Sequence, residues 1–184
     1  RSVLEPELLG RAAERRERML HVMNTRPTLP EELTAELRTY QDEGFVWLHR
    51  LTELGFGACL ADDMGLGKTV QTLALLLARA SSGPALVVAP TSVVSGWAEQ
   101  SKKFAGTLKV RRLEAGSSTE ERRKWVTEAG PGDVVLTTHG LLQRERELLA
   151  SREWSTVVLD EAQAFKNPRT ARARAAFALR GSSR

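Results

Sequence analysis

Two groups of residues in this 184-residue sequence have the types and spacing that chemistry on a phosphate anhydride requires. The first is Asp62-Asp63-Met64-Gly65-Leu66-Gly67-Lys68-Thr69, between an apolar run ending at Ala61 and a helical run that begins at Val70. Gly65 and Gly67 remove side chains where backbone amides must turn toward phosphate oxygens, and the helix that follows directs its partial positive end at the anion. Lys68 would lie along the β- and γ-phosphates of ATP, and the Thr69 hydroxyl would ligate Mg²⁺. Asp63, Met64, Gly65, Leu66 and Gly67 complete the expected nucleotide-binding stretch. The strict pattern GxxxxGK[ST] is broken at its first glycine, where this chain has Asp62.

The second group is Val157-Val158-Leu159-Asp160-Glu161, an apolar strand run ending in two carboxylates about ninety residues downstream. Asp160 can hold Mg²⁺, and Glu161 can orient and deprotonate the water that attacks the γ-phosphate. Adjacent acids at a strand end also occur as a plain solvated turn. A Gly-Lys-Thr loop and a strand-terminal acid pair, together and in this order, favour the catalytic reading.

The elements that must position these groups can be read from periodicity. Residues 5–23 carry Leu8, Leu9, Ala12, Met19, Leu20 and Met23 near helical spacing, with Arg and Glu between them, which predicts an amphipathic helix. Pro27 and Pro30 then mark a linker. A second helix is expected over 33–54, ending at Gly55 and Gly57. Strands are expected over 58–61, 85–89, 109–113, 133–137 and 156–160. Helices are expected over 68–80, 92–104, 119–129, 141–150 and 169–179. Such alternation predicts a parallel sheet covered on both faces, which binds ligands at the carboxyl ends of its strands. Trp47, Trp97, Trp125, Trp154 and Tyr40 sit among apolar neighbours and are expected in the core.

Composition bounds the reading without deciding it. At 41% hydrophobic and 27% charged, the chain is ordinary for a globular domain, and no apolar run approaches the ~18 residues of a membrane span. Cys59 is the single cysteine, so no intramolecular disulfide can form, and nothing near Arg1 resembles a signal peptide; an intracellular, reducing compartment is expected. The chain begins without Met and stops in Arg180-Gly181-Ser182-Ser183-Arg184, which reads as an excised piece of a larger protein. Net charge is +4, and from Ala162 onward there is no acidic residue, whereas Lys166, Arg169, Arg172, Arg174, Arg180 and Arg184 are basic. A solvated helix face and a phosphate-facing patch both fit that run.

Residues 60–72 (LADDMGLGKTVQT) and 159–168 (LDEAQAFKNP) closely resemble helicase superfamily two, in its SWI/SNF-like branch. In that branch the first loop glycine is characteristically absent, which accounts for Asp62. The resemblance covers residues 37–170 and implies a RecA-like three-layer α/β/α lobe over 31–184, preceded by an N-terminal helical segment and linker over 1–30. Leu37-Arg38-Thr39-Tyr40-Gln41 resembles the family's element ahead of the loop, which implies nucleotide contacts from Arg38 and a contact from Gln41 to the adenine edge, as suits an amide that donates and accepts. An exposed polar residue on a helix face is the alternative for Gln41.

The same resemblance implies nucleic-acid backbone contacts from Pro90 and Thr91, in the motif that continues with Trp97 and Phe104. It implies them also from Thr137 and Thr138 and from Lys166, in the branch-specific Lys166-Asn167-Pro168. It adds Gln163 to Lys68, Asp160 and Glu161 in the catalytic set, at a place where many relatives carry His.

By this likeness the whole protein would be an ATP-dependent double-stranded DNA translocase. It would lie in the cytoplasm or nucleoid, or in the nucleus of a eukaryote, with a second RecA-like lobe supplying arginines to the γ-phosphate. This piece alone would bind Mg-ATP weakly and hydrolyse it negligibly, and its N-terminal helix is open to a partner protein. An RNA helicase, a restriction-system translocase and a non-catalytic module keeping the fold are the alternatives.

Overall fold

The computed structural model describes residues 6–61 and 65–183; Asp62, Asp63, Met64 and Arg184 lie outside the described residues. Helix α1 (Pro6–Asn24) is followed by an extended linker, then α2 (Thr39–Glu53), α3 (Lys68–Ala78) and β1 (Ala85–Ala89). The chain continues through α4 (Val94–Phe104), β2 (Lys109–Arg112), α5 (Thr119–Glu128), β3 (Asp133–Thr138), α6 (His139–Arg144) and α7 (Arg146–Ala150). It ends with β4 (Glu153–Trp154), β5 (Thr156–Leu159), a 3-10 turn (Ala162–Phe165), α8 (Ala171–Ala178) and β6 (Arg180–Gly181).

The main sheet has the order β2-β3-β1-β5, and every pairing in it is parallel. Side chains of β1 alternate between two apolar layers, as a pleated strand dictates. Ala85, Val87 and Ala89 pack with Leu73 and Leu76 of α3 and Trp97 of α4, whereas Leu86 and Val88 pack with Leu142, Trp154 and Ala176 on the opposite face. Both faces of the sheet are therefore covered. That explains why its central strands read as unbroken apolar runs. The three-layer α/β/α architecture is the one expected from the sequence, with all strands of the main sheet parallel.

Several expectations are corrected. Residues 58–61 form no strand. They have no ladder to join, because β5 pairs with β1 on one side and on the other its Val157 amide donates to the Ser183 carbonyl at 2.9 Å. The second helix starts at Thr39, not at residue 33. Thr34 is drawn out of helical register by its amide, which donates to the Phe104 carbonyl at 3.0 Å, and by its hydroxyl, which donates to the Lys103 carbonyl at 2.7 Å. The helix expected over 141–150 divides at Glu145, whose carboxylate pairs with the buried Arg122 at 2.9 Å. Trp97 and Trp154 are buried, but Trp47 is 44% exposed and Tyr40 37% exposed, so neither is a core residue. Leu9, Met19, Leu20 and Met23 of α1 are also exposed.

Candidate functional site

A parallel sheet brings all its strand ends to one edge. Ala89 stands level with Thr138, and Val88 with Leu159, so His139, Pro90 and Asp160 follow one another across the carboxyl edge of β3, β1 and β5. A cleft of about 870 Å³ opens beside that edge, lined by residues 57–61, by Lys68, Thr69 and Thr72 of α3, by Trp97, and by β5 with Asp160, Glu161 and Gln163. Four of the residues expected to act on a triphosphate, Lys68, Thr69, Asp160 and Glu161, therefore face one space although about ninety residues separate the two pairs.

The loop ahead of α3 is built as an anion turn must be. Gly65 and Gly67 have φ of 84° and 74°, the left-handed region where L side chains are disfavoured. Gly67 is the N-cap of α3, its carbonyl accepting from the Val70 amide at 3.1 Å, and the helix's positive end points into the cleft mouth. A Cβ on Gly67 would collide with Gln41 Nε2. Gln41 is buried, at 9% exposed; its Oε1 accepts from the Arg38 amide at 2.9 Å and its Nε2 donates to the Leu66 carbonyl at 3.1 Å. Gln41 thus holds the loop from beneath, with one amide hydrogen and one lone pair remaining. Tyr40 adds a hydroxyl donated to the same Leu66 carbonyl at 3.3 Å. Arg38 is exposed beside it.

Asp160 and Glu161 sit on a tightly held corner. Asp160 Oδ2 accepts from Trp97 Nε1 at 2.8 Å and Oδ1 from the Glu161 amide at 2.9 Å. The Asp160 amide donates to the Val88 carbonyl at 2.8 Å. His139 Nε2 lies 3.0 Å from the Asp160 carbonyl; a carbonyl only accepts, so that nitrogen carries the proton. Burial is the largest cause lowering the His139 pKa from its ordinary 6.5, partly offset by this hydrogen bond, and Phe165 stacks edge-on against the ring at 4.9 Å. Glu161 is the one non-glycine residue with positive φ among those described, at 52°. Such a conformation costs of order 1–3 kcal/mol and persists only where the surroundings over-determine it. Gln163 Nε2 donates to Glu161 Oε2. A hydroxyl and a carboxylate are the hard oxygen donors a small divalent cation prefers, and the Lys68 ammonium suits phosphate oxygens, so the donor set fits a metal-bound triphosphate.

The residues expected to meet nucleic acid divide. Thr91 and Lys166 are exposed, and Pro90 and Thr138 are half-buried at the same sheet edge. Thr138 Oγ1 caps α6 by accepting from the Leu141 amide at 3.1 Å. Thr137 is corrected: it is fully buried within β3 with its hydroxyl in the interior, because successive strand residues point to opposite faces. Sequence reasoning missed two residues of the acid corner. From the sequence, Trp97 is expected only as a core residue, and His139 is not singled out. The available signal for Trp97 was that a buried indole N–H needs an acceptor.

The model of the SNF2-related domain matches residues 40–184. YwqA of Bacillus subtilis is 45% identical over 149 residues, covering 79% of this chain and 16% of that protein. The helicase SWR1 of Debaryomyces hansenii is 39% identical over 152 residues, 80% of this chain and 9% of that one. The SWI2/SNF2 ATPase core of Sulfolobus solfataricus in complex with dsDNA superposes with a TM-score of 0.74 at 38% identity, covering 85% of this chain and 32% of that chain. The present chain thus spans about a sixth of YwqA's length and a third of that core.

Proposed function

We propose a function from one premise: the chain belongs to the SNF2-related domain family. It is a nucleotide-binding lobe that, in the whole protein, couples ATP hydrolysis to movement along double-stranded DNA. The observation that carries this is the shared cleft, with Lys68 and Thr69 at a helix start on one wall and Asp160 and Glu161 at a strand end on the other. Lys68 and the amides at the start of α3 bind the β- and γ-phosphates, and Gly65 and Gly67, with Leu66 between them, let the backbone approach. Gln41 supports that loop and, with Arg38, lies beside the base. Asp63 and Met64 belong to the same stretch. Thr69 and Asp160 hold Mg²⁺, which supplies charge neutralisation at the phosphates. Glu161 accepts the proton of the attacking water, and Gln163 keeps its carboxylate in place.

Residues 31–184 form this lobe and residues 1–30 an appendage whose apolar side is open to a protein partner. Thr91, Thr138 and Lys166, with the exposed arginines at 169, 172 and 174, offer a backbone-directed surface, which grips phosphate without reading bases. Support for duplex DNA comes from the dsDNA complex of the Sulfolobus relative. Among the described residues no helix is long and apolar enough to cross a membrane. The protein works in a DNA-containing compartment.

ATPase activity of the complete protein, with and without duplex DNA, tests this reading. Lys68→Ala and Glu161→Gln should each lower kcat by about 10² or more. Glu161→Gln should keep nucleotide binding that Lys68→Ala loses. DNA-stimulated turnover left unchanged by Lys68→Ala would sink the assignment. Because a partner lobe's arginine contributes about 10³–10⁵ in rate in phosphoryl transfer, the 184-residue chain alone should turn over negligibly.

A further inference from the structure

We infer that Trp97 is a positioning residue for the metal-binding carboxylate. Its indole N–H, with His139 behind it, holds Asp160 in the geometry that a cation meets. The inference rests on the proposed function, since it takes Asp160 to be a ligand of Mg²⁺.

All four kinds of polar atom on Asp160 are engaged by this chain. The amide is bonded to the Val88 carbonyl, the carbonyl to His139 Nε2, Oδ1 to the Glu161 amide and Oδ2 to Trp97 Nε1. Two of these contacts are main-chain and come with the strand end. The two side-chain contacts come from different elements, Trp97 from α4, which follows β1, and His139 from the start of α6, which follows β3, the strand paired with β1. An aspartate at a strand end with a wide cleft beside it would otherwise sample several rotamers.

Trp97 suits the task for three reasons. It is 5% exposed and wedged among Val94, Leu76 and Val87, so its ring cannot swing. An indole is a donor only, so it cannot compete with the carboxylate for a cation. A hydrogen bond to an ionised acceptor is also about twice as strong as a neutral one. The bond occupies one lone-pair direction of Oδ2, and Asp160 lines the same cleft as Lys68 and Thr69.

Had packing been the only role of the residue, phenylalanine would serve as well. The test therefore compares wild type with Trp97→Phe, and with a chain carrying 3-benzothienylalanine at 97, which keeps the bicyclic shape and replaces N–H by sulfur. A fluorescent ADP analogue is bound to the 184-residue chain in EDTA and across a Mg²⁺ titration, with thermal unfolding measured in parallel. Expected is unchanged affinity in EDTA and a weakening of the Mg²⁺-dependent component by about tenfold or more, the usual effect of removing a group that orients a metal ligand. His139→Ala should weaken the same component. If the benzothienyl chain titrates with Mg²⁺ as wild type does, Trp97 is a packing residue and the inference is wrong. If the wild-type chain itself shows no Mg²⁺-dependent gain in ADP binding, the assignment of Asp160 as a metal ligand fails first, and this inference with it.

Discussion

Gly67 shows how closely one residue is constrained. Its φ of 74° places it where an L residue costs roughly 1–2 kcal/mol, and the space its Cβ would need is filled by Gln41 Nε2. Gly65, at 84°, has the same backbone constraint, but a Cβ there would meet no atom of the described residues within 4 Å. The two glycines should therefore respond differently to alanine. Gly67→Ala should destabilise by about 1–2 kcal/mol and also break the Gln41-to-Leu66 bond, abolishing nucleotide binding. Gly65→Ala should show the strain alone and keep part of its binding. Urea midpoints and equilibrium nucleotide titrations of both variants check this. Equal losses of binding would show that Gln41 does not support the loop.

At the scale of elements, the walls of the cleft are tied together away from the chemistry. Arg79, just past α3, is nearly buried; its Nε donates to Thr156 Oγ1 at 3.0 Å, its Nη2 to the Ser155 carbonyl at 3.2 Å, and its Nη1 meets Glu53 Oε1 of α2 at 3.3 Å. One side chain thus fixes α2 and α3 to the start of β5, and hence Lys68 relative to Asp160. Arg79→Ala strips donors from two buried acceptors and should destabilise by about 3 kcal/mol. Ser118 makes a useful contrast. It caps α5 by accepting from the Glu121 amide at 3.2 Å, while the Glu121 carboxylate accepts from the Ser118 amide at 2.8 Å. Ser118→Ala should cost about 1 kcal/mol, with nucleotide binding intact. Denaturant unfolding beside nucleotide titration separates the two. An Arg79→Ala chain no less stable than Ser118→Ala would refute the bracing role.

For the molecule as a whole, the buried His139 and the half-buried His49 set an acid limit. Both His49 and His139 titrate below the ordinary 6.5, burial being the largest cause in each; the charge of Glu53 partly offsets it for His49, and the hydrogen bond to Asp160 for His139. The folded state therefore favours the neutral rings. As pH falls below about 6.5 the unfolded chain takes up protons first, so stability is full above that value and declines as pH drops toward the depressed folded values. The melting temperature should fall between about pH 7.5 and pH 5.5, and His139→Gln, which keeps an N–H donor, should reduce that fall. An identical pH dependence in the variant would remove His139 from the account.

What the sequence determined by itself is local and periodic. The apolar runs of β1, β3 and β5 mark a sheet buried on both faces, the glycines at 65 and 67 mark a turn no other residue forms easily, and the acids at 160 and 161 follow a strand and so fall at its carboxyl end. These features depend on neighbours in the chain, and periodicity records them. Tertiary structure alone decided three others. Residues 58–61 remain unpaired because the neighbouring strand edge receives Ser183, far away in sequence. Residue Thr34 leaves its helix for the carbonyls at the end of α4. The indole of Trp97 finds Asp160 across 63 positions of chain. Each is a hydrogen bond between groups brought together only when the sheet closes, and no spacing within the sequence encodes which donor meets which acceptor.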